Sequence, residues 1–162
     1  MNSFNLYDSQ MKICLLQQYT GKIFNSEGRI DFKGEINLHE LETCINLIVS
    51  KHDALRTNYF ATKETLFPLQ VVQDVVQIKP ILHNYDGLMS EELKIIEMDK
   101  CLNDAAKLPV DYQNDTLLKA NIFQFSTTHS ILSITIPSLS MDSYSLLKIF
   151  EELVNLLEVH NL

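Results

Sequence analysis

The segment Pro137-Ser138-Leu139-Ser140-Met141-Asp142-Ser143-Tyr144-Ser145 follows an apolar run, His129 to Ile136, and opens onto a leucine-rich helical pattern from Leu146. A hydroxyl and a carboxylate at such a strand-to-helix junction are the side chains here best placed to do chemistry. A serine hydroxyl attacks only when a neighbouring base takes its proton. Ser138 has no GxSxG elbow around it and no histidine close by in sequence, so nucleophilic catalysis is not the expectation. The five histidines, His39, His52, His83, His129 and His160, show no metal-ligand spacing. Cys14, Cys44 and Cys101 form no CxxC or CxxxH unit with them, so no metal site is expected. No Gly-rich phosphate loop is present and no cofactor is implied. The acidic pairs Glu91-Glu92 and Glu151-Glu152 sit at a helix start and on a polar face, where solvation is the ordinary role.

Four stretches, in order, resemble the condensation domains of nonribosomal peptide synthetases. Lys51-His52-Asp53-Ala54-Leu55-Arg56-Thr57-Asn58-Tyr59 is similar to the family's RHExLRTxF motif and is the most specific of them. Ser9-Gln10-Met11-Lys12-Ile13-Cys14-Leu15-Leu16 looks like a weakened AQxRLWxL. Leu108-Pro109-Val110-Asp111, followed by Leu117-Leu118-Lys119-Ala120, resembles the "PFDL…PLLRA" segment. The junction itself occupies the place of HHxxxDG, with Asp142 retained and the two histidines replaced by Pro137 and Ser138.

The resemblance implies a single lobe of the chloramphenicol-acetyltransferase-like fold spanning residues 1–162, truncated after the first of two lobes. It also implies that Ser138 stands where the family has its catalytic histidine, and Pro137 where it has the preceding one. A general base needs a pKa near the working pH, which a serine hydroxyl does not have. No catalytic residue is therefore assigned. The retained Arg56 and Asp142 are expected to form a largely buried ion pair that fixes the junction, with His52 structural as in the family motif. The implied role is a catalytically inactive half-domain acting as an interaction or scaffold module in a peptide or hybrid peptide–polyketide synthetase. Its partners would be an adjoining synthetase domain, a tailoring enzyme or a carrier protein, and a homo-oligomer is compatible with the same reading. The alternative is one half of a split acyltransferase or condensation enzyme, completed by a second chain.

The chain gives room for one buried core at 162 residues, with 46% hydrophobic and 21% charged content. A net charge of −8 without a Lys/Arg cluster argues against nucleic acid. No run approaches the ~20 apolar residues of a membrane span, and Met1-Asn2-Ser3-Phe4-Asn5 does not read as a signal peptide, so a cytoplasmic location is expected. The odd, widely spaced cysteines read as buried free thiols.

The elements that must position the junction follow from periodicity. A helix is expected from Asp8 to about Gln18, with Met11, Leu15 and Leu16 or Ile13 on its inner face. Lys22 to Phe32 reads as extended and interrupted at Glu27-Gly28. Asn37 with Glu40 resembles a capping box opening a helix whose face is Leu38, Leu41, Ile45 and Ile48. Leu55–Thr62, Leu69–Val76 and Gln77–Tyr85 read as strands broken by Pro68 and Pro80. A helix over Ser90–Lys107 points Ile95, Met98, Leu102 and Ala105 inward. Leu117–Phe125 and His129–Ile136 pair antiparallel, and Ser143 to about Val159 closes as a helix on Leu146, Phe150, Leu153 and Leu157. This order gives an α+β fold with a mixed or mainly antiparallel sheet packed with helices.

Overall fold

The computed structural model describes residues 3–87 and 90–160, except the side chain of His160. Its elements run β1 (Ser3–Phe4), α1 (Asp8–Thr20), β2 (Asn25–Lys33), α2 (Leu38–Lys51), a 3-10 turn (Asp53–Arg56) and β3 (Thr57–Phe60). They continue with β4 (Leu69–Val72), β5 (Ile81–Asn84), α3 (Glu91–Ala106), β6 (Lys119–Ser126), β7 (His129–Pro137) and α4 (Ser143–His160). The larger sheet has the order β2-β7-β6-β5, antiparallel except for the parallel β5–β6 pair. A smaller antiparallel sheet has the order β1-β4-β3. The expected α+β architecture with a mixed sheet is what forms.

The two-residue alternation of β6 and β7 divides the core. Ala120, Ile122, Leu132, Ile134 and Ile136 face one side, where α2 supplies Leu41, Cys44, Ile45, Ile48 and Val49, and α4 supplies Leu146, Ile149, Phe150, Leu153 and Leu157. Phe123 and Phe125 face the other side and meet Met98 and Leu102 of α3. A third cluster of Leu6, Cys14, Tyr59, Leu117 and Leu139 joins α1 and the small sheet to the junction. Among the described residues no helix is long and apolar enough to cross a membrane. Cys14 and Cys44 are buried and burial pushes both thiols up, whereas Cys101 is only half-buried.

Local chemistry explains the boundaries. The side chain of Asn37 accepts from the backbone N–H of His39 and Glu40 and opens α2. Ser90 accepts from Leu93 N–H to open α3. α1 ends at Gly21, whose φ of 66° is the left-handed conformation that closes a helix and favours glycine.

Several expectations are corrected. β2 passes through Glu27-Gly28 without a break. Gly28 is there because the Phe150 ring lies against it: a Cβ would come within 2.1 Å of Phe150 Cε2. α1 buries Cys14, not Leu15 or Leu16, which are 51% and 49% exposed, because the helix rests on its neighbours along a narrow strip. In α3, Ile95 and Ala105 face outward. Lys94 takes the inward position, its Nζ donating to the Phe125 carbonyl at 2.6 Å, which satisfies a buried ammonium without a hydrophobic residue. The predicted strands before residue 85 shorten to β3, β4 and β5, because the 3-10 turn takes the start of the first and loops take the rest.

Candidate functional site

The junction is fixed from both ends by main chain. Ser138 N–H donates to the Phe24 carbonyl at 2.7 Å, one pair beyond the end of the β2–β7 ladder. Ser140 N–H turns back onto the Pro137 carbonyl at 2.8 Å. Pro137 costs β7 little, since the last β6 partner is Lys119 opposite Thr135 and no strand on that side needs its missing N–H.

The side chains within the turn are hydroxyls. Ser138 Oγ lies 3.2 Å from Ser26 Oγ, and Ser26 Oγ donates to the Met141 carbonyl at 2.8 Å. The partners of Ser138 are thus a second hydroxyl and the backbone, neither of which accepts a proton near neutral pH. Ser138 is half-buried, between the fully enclosed Pro137 and Leu139.

The Leu139 carbonyl is the anchor. It accepts from Gln10 Nε2 at 3.0 Å and from Tyr59 Oη at 3.1 Å. Gln10 Nε2 also reaches Gln70 Oε1 at 3.0 Å, and Gln10 Oε1 accepts from Tyr7 N–H at 2.9 Å at the start of α1. Burial pushes Tyr59 up to about 12, partly offset by its hydrogen bonds, so its hydroxyl stays protonated and donates. α1, β3 and the junction therefore converge on one carbonyl oxygen.

The expected Arg56–Asp142 ion pair does not form. Arg56 ends the 3-10 turn, where Nη2 bonds Asp53 and Nη1 bonds the Gln73 carbonyl after β4. Asp142 is exposed and caps α4, with Oδ1 accepting from Ser145 N–H at 2.7 Å. That bond holds its carboxyl below the usual carboxylate range. The carboxylate is engaged with a helix N-terminus and the two Nη atoms of the guanidinium with Asp53 and the Gln73 carbonyl, while its buried Nε has no hydrogen-bond partner among the described residues. His52 closes α2 and places Nε2 2.7 Å from Glu152 Oε2 on α4, while Lys51 bonds the other oxygen of the same carboxylate. Glu152 is held low by Lys51 first and His52 second. Sequence reading missed Ser26 altogether and placed Glu152 on a solvated polar face, whereas its carboxylate is tied to Lys51 and His52. Gln10 and Tyr59 lay inside quoted motifs, but nothing in the motif text says that both address the same carbonyl.

Two cavities flank the turn. One of about 300 Å³ is bounded by Ile23, Asn25, Leu102, Leu117, Thr135 and Pro137. The other, about 440 Å³, is bounded by Cys14, Tyr59, Phe67, Tyr112 and Leu139. Val110 forms part of both walls. Among the described residues no group of three or more His, Cys, Asp or Glu is placed to hold a metal ion.

Fold and junction together define a condensation-type lobe. The profile of the Condensation domain family matches residues 2–160, so the chain belongs to that family. It is 26% identical over 113 residues to chondramide synthase cmdD of Chondromyces crocatus, and 25% identical over 150 residues to tyrocidine synthase 2 of Brevibacillus parabrevis. These alignments cover 70% and 91% of this chain but 3% and 4% of the synthetases. The starter condensation domain of the rhizomide synthetase RzmA superposes with a TM-score of 0.79 at 16% identity, covering 96% of this chain and 39% of that one. The chain thus spans well under half the length of the proteins it matches.

Proposed function

We propose that this chain is a non-catalytic condensation-domain lobe whose work is binding within a nonribosomal peptide or hybrid peptide–polyketide synthetase. The observation that carries the reading is the setting of Ser138. In the position of the family's catalytic histidine stands a hydroxyl bonded to the Ser26 hydroxyl, on a residue whose backbone N–H is tied to the Phe24 carbonyl, with no base among its partners in the described residues. The partner is an adjoining synthetase domain, a tailoring enzyme or a carrier protein. The test supplies carrier proteins loaded with donor and acceptor, together with the neighbouring chains of the same pathway. No peptide bond forms above background, and the chain is retained on one of those neighbours. Product formation that disappears in Ser138→Ala overturns the reading.

The two cavities beside Pro137 and Leu139 favour one alternative, a split condensation enzyme completed by a second chain that brings its own base. That reading expects a stoichiometric heterodimer with acyl-transfer activity unaffected by Ser138→Ala. An inert chain in every pairing removes it.

A further inference from the structure

Among the described residues β2 is an edge strand, paired with β7 on one side only. The bonds that frame its ladder are Ser138 N–H to the Phe24 carbonyl and Gly34 N–H to the Thr128 carbonyl. Even-numbered residues of β2 therefore bond β7, and odd-numbered residues turn their N–H and C=O outward, because an antiparallel ladder alternates the two. The outward set is Asn25, Glu27, Arg29, Asp31 and Lys33. Natural edges of this length are usually covered, interrupted or guarded by charged side chains, and this one carries charges of both signs in alternation. Beside this one runs an open groove of about 640 Å³, bounded by Arg29, Ile30, Asp31, Leu147, Phe150 and Val154. On its helix side Leu147 is 52% exposed and Val154 37%.

We propose that this edge pairs with the same edge of a second copy of the chain, antiparallel about a two-fold axis at Ile30. The charge order of β2 selects both the occupant and the register. Glu27, Arg29, Asp31 and Lys33 alternate in sign along one face. Antiparallel self-pairing centred on Ile30 places Glu27 opposite the partner's Lys33, and Arg29 opposite the partner's Asp31, so every cross-strand pair is of opposite sign. Sliding by two residues one way sets Arg29 against Arg29 and Glu27 against Asp31. Sliding the other way sets Asp31 against Asp31 and Arg29 against Lys33. A strand pairs in one register when the alternatives are penalised, and here both neighbouring registers bring like charges together. The in-chain ion pairs do not remove this capacity. Arg29 bonds Glu27 and also Asp99 of α3, and Asp31 meets Lys33 and also His129 of β7, yet all four β2 side chains remain between 36% and 67% exposed.

Pairing joins two four-stranded sheets into one and satisfies the outward backbone groups of both edges. It also brings the two α4 helices alongside each other on one face of the joined sheet, where Leu147 and Val154 of each protomer shield those of the other. The interface is isologous, as a closed dimer requires.

The test is sedimentation velocity on the full chain over a range of concentrations, with circular dichroism confirming that each variant folds. The wild type forms a dimer. Arg29→Asp raises the dimer dissociation constant about tenfold or more, since one substitution turns two symmetry-related attractions into repulsions. Arg29→Asp with Asp31→Arg restores the wild-type value, because the swapped charges again face opposite signs. A second measurement reads the register without altering charge. In a Cys101→Ser background, Ile30→Cys forms an intermolecular disulfide on mild oxidation, since a non-hydrogen-bonded pair holds its Cα atoms about 4.5 Å apart. Phe32→Cys, which faces the partner's Gly28, does not. A wild type that stays monomeric throughout, a double swap no better than the single one, or equal cross-linking at 30 and 32 overturns the proposal.

Discussion

Stripping the Leu139 carbonyl of both its donors probes how the junction is held. Tyr59→Phe removes the hydroxyl at 3.1 Å and leaves the ring in place, with the carbonyl still bonded to Gln10. The hydroxyl also accepts a long bond of 3.4 Å from Gln10 Nε2, so the expected cost is that of one ordinary hydrogen bond and a weak one, about 1–1.5 kcal/mol. Gln10→Leu keeps similar volume but also surrenders the bonds to Tyr7 N–H and Gln70, so about 1–2 kcal/mol is expected. The double variant is different in kind. Leu139 is only 3% exposed, so its carbonyl is left without a donor in a place water does not readily reach. An unsatisfied buried polar group costs about 1–3 kcal/mol, and that penalty falls on the double variant alone. The double-variant loss should therefore exceed the sum of the single losses by about 1 kcal/mol. Urea denaturation of the four proteins at constant m-value gives the comparison directly. Additivity within about 0.3 kcal/mol, the behaviour of independent sites, would show that the two donors do not share this carbonyl in solution.

Asp142→Ala should cost about 1 kcal/mol, the loss of a helix cap, rather than the ~3–5 kcal/mol of a buried ion pair broken on one side; Asp142→Asn, which can still cap, should be nearly silent in thermal melts. Ser138→Ala should cost about 1 kcal/mol or less, as befits one hydrogen bond to another hydroxyl. Gly28→Ala should destabilise by about 1–3 kcal/mol through overpacking against Phe150, and Phe150→Leu in the same chain should recover part of that loss in chemical denaturation. Glu152 supplies a pH prediction. Its folded pKa is depressed by Lys51 and His52, so the stability it contributes is present above its ordinary value of 4.5 and is lost as pH falls through the lower folded value. Glu152→Gln should therefore be less stable than wild type at neutral pH, with the two denaturation curves converging in acid.

The architecture was legible in sequence because long elements carry their own period. α2 and α4 show 3–4 spacing, and β6 and β7 show two-residue alternation, so their buried faces follow from the pattern. α1 and α3 were legible as helices but only partly in orientation: Met98 and Leu102 face the core as expected and Met11 and Ile13 pack against it, whereas Leu15, Leu16, Ile95 and Ala105 do not. A short strip of contact leaves apolar residues outside, as at Leu15 and Ile96, and a lysine such as Lys94 turns inward when a carbonyl waits for its ammonium. Gly28 looked like a break because sequence shows the missing side chain and not the ring that fills its place. The Arg56–Asp142 pairing failed for a related reason. A pairing implied by resemblance between two motifs says nothing about the partners each residue finds close by, and here Asp53 and the Ser145 N–H are nearer in the chain than the supposed counter-ion.

What holds the junction also bears on which side chains it tolerates. The turn is shaped by bonds to its backbone: Phe24 takes the Ser138 N–H, Ser26 reaches the Met141 carbonyl, and Gln10 and Tyr59 meet the Leu139 carbonyl. Pro137 and Ser138, which on the proposed reading stand at the family's two histidine positions, supply little of that framework with their side chains. A loop shaped through its main chain tolerates side-chain exchange far better than one closed by a buried ion pair, whose loss on either side would unfold it. On the proposed reading, the histidines were replaced without loss of the fold because they were not part of its support. Restoring them by Pro137→His and Ser138→His should accordingly leave the melting temperature within a few degrees of wild type. A collapse of stability in that double variant would mean that the hydroxyl pair of Ser26 and Ser138 has become part of the frame.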